Sequence, residues 1–316
     1  MAYVAGLIYA ENDRNSLSQD AAVKICRAEE GNSVSRQRYR GIVDETRPRD
    51  GIRPMSSDFS PIDKAKFVAA KRAVDYVEDG MRVGLGTGST AAWMVKMLGE
   101  LVRDEGLQFK AVPTSARTAQ LAREVGIKVH TLDEVKWLDL TIDGADEFDP
   151  HLNLIKGGGG ALLQEKIVAT ASDQMVVISD ASKAVETLGA YALPVEVVRF
   201  GWPTTKTLIE ECLANVDVLG QGVTLRLQHD QPLVTDEGHH IFDLHLKRIA
   251  NPRELSLVLN QIPGVVENGL FLDIADAIVI GYGDGRVEVR DINHGTVEKE
   301  QIDILLNENL FADIED

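Results

Sequence analysis

The chain has 316 residues, 44% of them apolar and 26% charged, with a formal net charge of −17. That length holds one large domain or two ordinary ones with an ample core, and the charge argues against non-specific binding to nucleic acid or to an anionic membrane. Cys26 and Cys212 are the only cysteines, which leaves no disulfide framework and no zinc spacing and fits a reducing cytoplasm, and no run reaches the ~18 apolar residues of a membrane span.

Met1 to Ala10 is mildly apolar but lacks the basic region of a signal peptide, and Glu11, Asp13, Asp20, Glu29 and Glu30 disfavour a transit peptide. Ser33 to Arg53 is rich in Arg, Ser, Gly and Asp with no sustained period. Residues 1–57 therefore read as a disordered extension, or as a mis-called leader ahead of a natural start at Met55. Ordered structure begins at Ser60-Pro61-Ile62-Asp63: a cap, a first-turn proline and an acid at the positive end of a helix. Phe67, Ala70, Val74 and Val77 share one face, and Gly80 ends the helix. Met81 to Leu85 reads as a buried strand, Gly86-Thr87-Gly88-Ser89-Thr90 as a glycine turn, and Ala91, Met94, Val95 and Leu98 as the inner face of a helix.

The rhythm repeats. Phe109 to Val112, Lys128 to Thr131, Leu138 to Ile142, Leu152 to Ile155 and Met175 to Ser179 read as strands. Ser115 to Val125 and Ala161 to Ala171 read as helices. Such alternation predicts an α/β fold, a Rossmann-like parallel sheet with helices on both faces. After Gly189 the order becomes strand (Val195 to Val198), helix (Thr204 to Leu213), strand (Val223 to Leu227), a hairpin-type turn at Asp236-Glu237-Gly238, and a helix from Asn251-Pro252 to Asn260. That is a smaller α+β unit of ferredoxin-like order. Ala277 to Tyr282 reads as a strand returning to the first sheet. The expected division is an extension at 1–57, a catalytic unit at 58–188 and 272–290, the small unit at 189–271, and an acidic tail at 291–316. In the tail, Ile302, Leu305, Leu306 and Leu310 fall at helical spacing and predict a docked or interfacial helix, with a frayed tail as the alternative.

Three stretches carry chemistry. The Gly84-to-Thr90 turn fails the dinucleotide fingerprint at Ser89 when counted from Gly84, and fits only a looser form ending at Ala91 when counted from Gly86. It lacks the acidic residue that NAD would want some twenty positions on. It suits one phosphate at a helix N-terminus, or it is a plain turn in which Ser89 or Thr90 caps the helix. Asp143 and Asp146, at a strand end, are acceptors for sugar hydroxyls, or else a solvated acidic loop or a metal pair without the usual ligand spacing. Lys156 precedes four glycines and a helix. Glycines there cost stability and make sense where backbone must approach a ligand, and a lysine at the mouth would stabilise negative charge on an oxygen. Glu165, in the first turns of the next helix, can point back to the same mouth, or it is a surface residue beside Lys166. Lys183 is a second cation or an ordinary surface lysine.

Taken together, Gly84-Leu85-Gly86-Thr87-Gly88-Ser89-Thr90, Asp143-Gly144-Ala145-Asp146-Glu147, Lys156-Gly157-Gly158-Gly159-Gly160-Ala161-Leu162 with Glu165-Lys166, and Ser179-Asp180-Ala181-Ser182-Lys183 resemble the A type of ribose-5-phosphate isomerases over about Asp58 to Arg290. Gly160 departs from that pattern, which has alanine in many members, and the extension and the tail lie outside it. The resemblance implies interconversion of ribose 5-phosphate and ribulose 5-phosphate in the pentose phosphate pathway, with no cofactor and no metal. It implies Glu165 as the proton acceptor, with Asp143, Asp146 and Lys156 as further catalytic groups. It implies substrate binding by Lys66, by Thr87, Gly88, Ser89 and Thr90, by Asp143, Gly144, Ala145 and Asp146, by Lys156, Gly157, Gly158 and Gly159, and by Lys183. One of the two aspartates would assist opening of the furanose ring. The expected partners are a small sugar phosphate and other copies of the chain, as a dimer or tetramer, without nucleic acid or membrane. A non-catalytic sugar-phosphate sensor on a related fold is the alternative. It would want a DNA-binding module ahead of residue 58, where no helix-turn-helix is evident, and would have no use for Glu165.

Overall fold

The structure is a computed structural model. It describes residues 59–303, together with the main chain of Ile52–Pro54 and Leu305–Asn307. The readings made for the rest of residues 1–57 and for Leu310 lie outside the described residues.

Seven α-helices are formed among the described residues: α1 Pro61–Ala73, α2 Ser89–Glu100, α3 Ala116–Glu124, α4 Leu132–Val135, α5 Leu162–Thr170, α6 Trp202–Leu213 and α7 Pro252–Leu259. Helix α1 starts as its sequence predicts. The Ser60 hydroxyl accepts the Asp63 N–H at 3.2 Å, and Pro61 occupies the first turn; such a cap contributes ~1 kcal/mol. Its inner face buries Phe67, Val68 and Ala70 against a sheet.

That sheet has seven strands in the order Thr296–Gln301, Arg286–Asp291, Ala277–Gly281, Met175–Asp180, Leu140–Gly144, Arg82–Leu85, Lys110–Pro113. The last five are mutually parallel, and the first two are added antiparallel at one edge. Ala277–Gly281 does return to this sheet, beside Met175–Asp180. Parallel strands covered on both faces are apolar throughout, and Met175–Asp180 is buried at every position.

Two expectations fail here. Lys128 to Thr131 forms only an isolated bridge, Val129 to Ala111; the stretch is too short to extend the ladder beyond one pair. The acidic tail is not helical where it is described. Thr296–Gln301 is an edge strand paired over six residues with Arg286–Asp291, and Leu305–Asn307 pairs with Ile52–Pro54. Charged residues suit an edge strand that faces water. Arg72 of α1 reaches Glu300 at 3.2 Å, and Ile302 packs against the main core.

The second, four-stranded sheet runs Val265–Asn268, Leu193–Val197, His240–His245, Gly222–Leu225, all antiparallel. Numbered along the chain this is the order 4-1-3-2, with α6 and α7 in the connections, as a β-α-β-β-α-β unit requires. Its own core includes Leu193, Val195, Ile209, Phe242 and Leu259. A three-stranded ribbon, Leu270–Phe271, Leu154–Ile155 and Glu147–Phe148, gives Ile155 and Leu270 to that core and Phe148, Leu154 and Phe271 to a further cluster with Met175, Val177, Ile278 and Ile280 of the seven-stranded sheet.

Candidate active site

Three parallel strands end side by side, at Leu85, Gly144 and Asp180. This is the carboxyl edge, where open α/β sheets take their ligands. A cavity of about 340 Å³ opens there.

The glycine turn forms its first wall. Gly86 N–H donates to Ile142 O at 2.9 Å, and a Cβ at Gly86 would stand 2.2 Å from Asp143 Oδ1 and 2.5 Å from Asp143 Cα. Only glycine allows the turn to pass so close to the neighbouring strand. The cap of α2 is Gly88, at φ +119°, and no side chain caps the helix. Ser89 and Thr90 therefore do not act as caps, and the free N–H groups of the first turn face the cavity that Gly88, Ser89 and Thr90 line. That end of a helix is suited to an anion. Thr87 also lines the cavity, but its hydroxyl is engaged behind it, 2.8 Å from Thr114 Oγ1, 2.8 Å from Ser115 Oγ and 3.1 Å from Thr118 Oγ1. Lys66 of α1 and Lys183 line the same cavity, with the Lys66 ammonium 3.9 Å from Asp63 Oδ1 and the Lys183 ammonium 5.8 Å from the centre of the Tyr191 ring. Lys183 is presented by a short turn in which Asp180 Oδ1 accepts the Ser182 N–H at 3.0 Å.

The second wall is ionic. Lys156 is 2% exposed. Its Nζ lies 3.0 Å from Asp143 Oδ2 and 3.3 Å from Glu165 Oε1, and donates to Gly144 O at 2.6 Å. Burial alone would lower the Lys156 value, but Asp143 and Glu165 beside it outweigh burial and hold it above the ordinary lysine range. Burial pushes the Glu165 carboxyl up to about 8, against the attraction of Lys156 and with the repulsion of Asp143 and Asp146. Burial likewise raises Asp143, opposed by Lys156 and by the N–H groups of Gly144 and Thr87. Glu165 Oε2 is buried without a hydrogen-bond partner, and Glu165 lines the cavity. It is no surface residue. Lys166 next to it turns away, to Glu267 Oε1 at 2.9 Å and Asn268 O at 2.6 Å.

Of the candidate residues read from the sequence, Asp143 alone does not line the cavity. It is fully buried, and its Oδ1 accepts the N–H groups of Thr87 and Gly144 at 3.1 and 2.7 Å. Gly144, Ala145, Asp146, Gly157, Gly158 and Gly159 all line it. Asp146 Oδ2 accepts the Gly158 N–H at 2.7 Å.

Several participants escaped the sequence reading. Asp180, Ser182 and Ile62 line the cavity as well. The Tyr191 hydroxyl would be 2.5 Å from a Cβ at Gly158. Buried Glu147 accepts main-chain N–H groups from Gly189, at 2.8 Å, and from Tyr191, and so holds the chain where it enters the smaller unit. Glu147, Asp180 and Ser182 stand within the quoted motifs, which assign them no role, and Ile62 and Tyr191 carry no local pattern. The run Ser179-Asp180-Ala181-Ser182 was in view, but only as the frame of Lys183. Among the described residues no group of three or more His, Cys, Asp and Glu side chains is disposed to hold a metal ion, and no helix is long and apolar enough to cross a membrane.

Comparison with known proteins shows the family. Residues 110–285 match the family described as Ribose 5-phosphate isomerase A (phosphoriboisomerase A). The chain is 72% identical over 262 residues to the ribose-5-phosphate isomerase A of Ruegeria sp. (strain TM1040), and 71% identical over 262 residues to that of Ruegeria pomeroyi; both alignments cover 83% of this chain and the whole of the relative. The aligned stretch is longer than Asp58 to Arg290, so the similarity runs past the segment that carries the motifs. Among solved structures, a D-ribose-5-phosphate isomerase in complex with phospho-erythronic acid superposes with a TM-score of 0.66 at 38% identity, over 77% of this chain and 100% of that one. The isomerase of Plasmodium falciparum gives 0.66 at 33% identity, over 76% and 99%.

Proposed function

The chain belongs to the ribose 5-phosphate isomerase A family and interconverts ribose 5-phosphate and ribulose 5-phosphate, and we propose that it does so through an enediolate with Glu165 as the base. The observation that carries this reading is Glu165 itself: a buried carboxylate on the cavity wall, its Oε2 without a partner and its pKa pushed up to about 8.

Aldose–ketose exchange moves one proton between C2 and C1, and one carboxylate can take it from either carbon and return it to the other. A base with a value near the working pH is effective in both directions. Charge develops on the oxygen of the reacting carbonyl, and Lys156 with the N–H groups of the glycine loop supports it. Asp143 acts through Lys156, whose ammonium it holds. Asp146, on the cavity wall, takes a sugar hydroxyl. The phosphate binds at the N-terminus of α2 with Lys66 and Lys183, far from the bonds that change, and its binding energy holds C1 and C2 against the base. The neighbouring structure that holds phospho-erythronic acid supports this reading, because that ligand pairs a phosphate with an acid group at the other end of a short polyol. We place the protein in the cytoplasm as a homo-oligomer, dimer or tetramer; light scattering on the purified chain reads the assembly directly.

The test is NMR of the purified protein with ribose 5-phosphate in deuterated water and no added cofactor. Ribulose 5-phosphate should appear with exchange at the transferred position, and EDTA should leave the rate intact. Glu165→Gln should retain sugar-phosphate binding and lose about 100-fold or more in kcat, the usual worth of a positioned base. A variant with near-normal kcat would remove Glu165 from this role.

A further inference from the structure

We infer that Arg226 is a positioning residue for this reaction: clamped by Asp243, its guanidinium sets the peptide planes of the Gly157–Gly159 loop so that the Gly159 N–H faces the substrate. The inference rests on the isomerase reading above.

Arg226 belongs to the smaller unit, between the strands Gly222–Leu225 and Leu227–Gln228. Its main chain is pinned on both sides: its N–H donates to Ile241 O at 2.8 Å, and its carbonyl accepts from Leu233 N–H at 2.9 Å. The side chain leaves that sheet for the active-site loop. Nη1 donates to Gly157 O at 2.7 Å and to Gly158 O at 3.1 Å. The other edge of the guanidinium donates to the Asp243 carboxylate, from Nε at 2.9 Å and from Nη2. Asp243 stands opposite Thr224, one diagonal step from Arg226 on the same sheet face, within reach of a long side chain. Both side chains are largely buried, 13% and 18% exposed.

What this clamp does follows from peptide geometry. In a trans peptide the C=O and the next N–H point in opposite directions. A donor that captures Gly157 O turns the Gly158 N–H to the far side, and there it meets Asp146 Oδ2 at 2.7 Å. Capture of Gly158 O does the same for the Gly159 N–H. That group has no hydrogen-bond partner among the described residues, and Gly159 lines the cavity. Within the loop Gly157 O also accepts the Gly160 N–H at 3.0 Å, but Gly158 O has no donor within the loop, and glycine at the Gly157 φ of +103° has many alternatives. One nitrogen, Nη1, serves both carbonyls while Nε and Nη2 are held by Asp243, and the planar guanidinium fixes the direction of Nη1 as a lysine ammonium on a flexible stem would not. Arg226 touches no substrate in this arrangement. It orders the donor that does, and it does so from the other sheet.

A positioning role and a merely structural bridge give different results. N–H groups aimed at charge that develops during the reaction act on kcat more than on KM. In the full-length protein, Arg226→Ala should lower kcat by about 100-fold, the scale of one oxyanion donor, while KM changes little. Millimolar guanidinium should restore part of the rate, and Arg226→Lys should fall between the two. Asp243→Asn, which loosens the clamp without removing it, should lower kcat severalfold. Unchanged kcat in Arg226→Ala would overturn the inference, as would a loss in folded protein that neither guanidinium nor lysine relieves. If Arg226→Ala does not fold, Arg226→Lys and Asp243→Asn carry the test, and equal kcat and KM to wild type in both would overturn it. The wild type assayed alongside separates the two readings: an inactive wild type refutes the isomerase assignment, whereas an active wild type with unaffected variants refutes only the role of Arg226.

Discussion

At the residue scale the site is a problem of charge. Asp143, Lys156 and Glu165 are all buried within 3.3 Å of the lysine, two anions to one cation. One carboxyl must be held by other means or stay protonated. Burial raises both carboxyls, and the two N–H donors on Asp143 Oδ1 have no counterpart at Glu165. With its value pushed up to about 8, kcat/KM should rise with pH through about 8 as the base ionises; a flat profile between about pH 6 and about pH 9 would contradict it. Stability runs the other way. A carboxyl raised in the folded state above its ordinary 4.5 contributes fully below that value and loses the contribution as pH climbs through about 8. Urea unfolding should therefore show the wild type losing more stability than Glu165→Gln between about pH 6 and about pH 9. The sequence made Glu165 visible, because four glycines before a helix announce a ligand. It could not show that Asp143 turns its back on the cavity, since a carboxylate at a strand end looks the same whether it meets sugar or a buried lysine.

At the scale of elements, the strand ends are set by close approach. Gly86 lies against Asp143, with no room for a Cβ, and its N–H ties it to Ile142 O. Gly86→Ala must push the end of Arg82–Leu85 away from Leu140–Gly144, a backbone shift that costs about 1–3 kcal/mol. It also displaces Asp143, and Lys156 with it. We expect a lower melting temperature together with a fall in kcat of at least about tenfold; normal kcat with normal stability would show that the approach is not tight. Elements with a clean local signal were legible: the Ser60-Pro61 start of α1, the parallel strands, and the β-α-β-β-α-β order after Gly189. Those set by distant partners were not. Thr296–Gln301 is a strand because Arg286–Asp291 offers it an edge, while the leucines after it suggest a helical period. Arg226 has no local signature at all, for the carbonyls it binds are some seventy residues earlier.

At the scale of the molecule, chemistry and support come from different parts of the chain. Every residue that lines the cavity, among the described residues, lies between Ile62 and Lys183, while the clamp on the glycine loop comes from beyond Gly222. Residues ahead of Phe59 enter the described structure only at Ile52–Pro54, which pairs with Leu305–Asn307 in a ribbon separate from the seven-stranded sheet. The curated relatives are matched over their whole length by 262 residues of this chain. Deletion of residues 1–54 removes one strand of that ribbon and no cavity-lining group. Losing three residues of edge pairing should lower the melting temperature by no more than a few degrees, and kcat and KM should stay within about twofold of the full chain. Steady-state assays of the two proteins side by side decide the matter. A large fall in kcat would place residues before Met55 in the working enzyme, and a change in KM alone would place them near the entrance to the cavity.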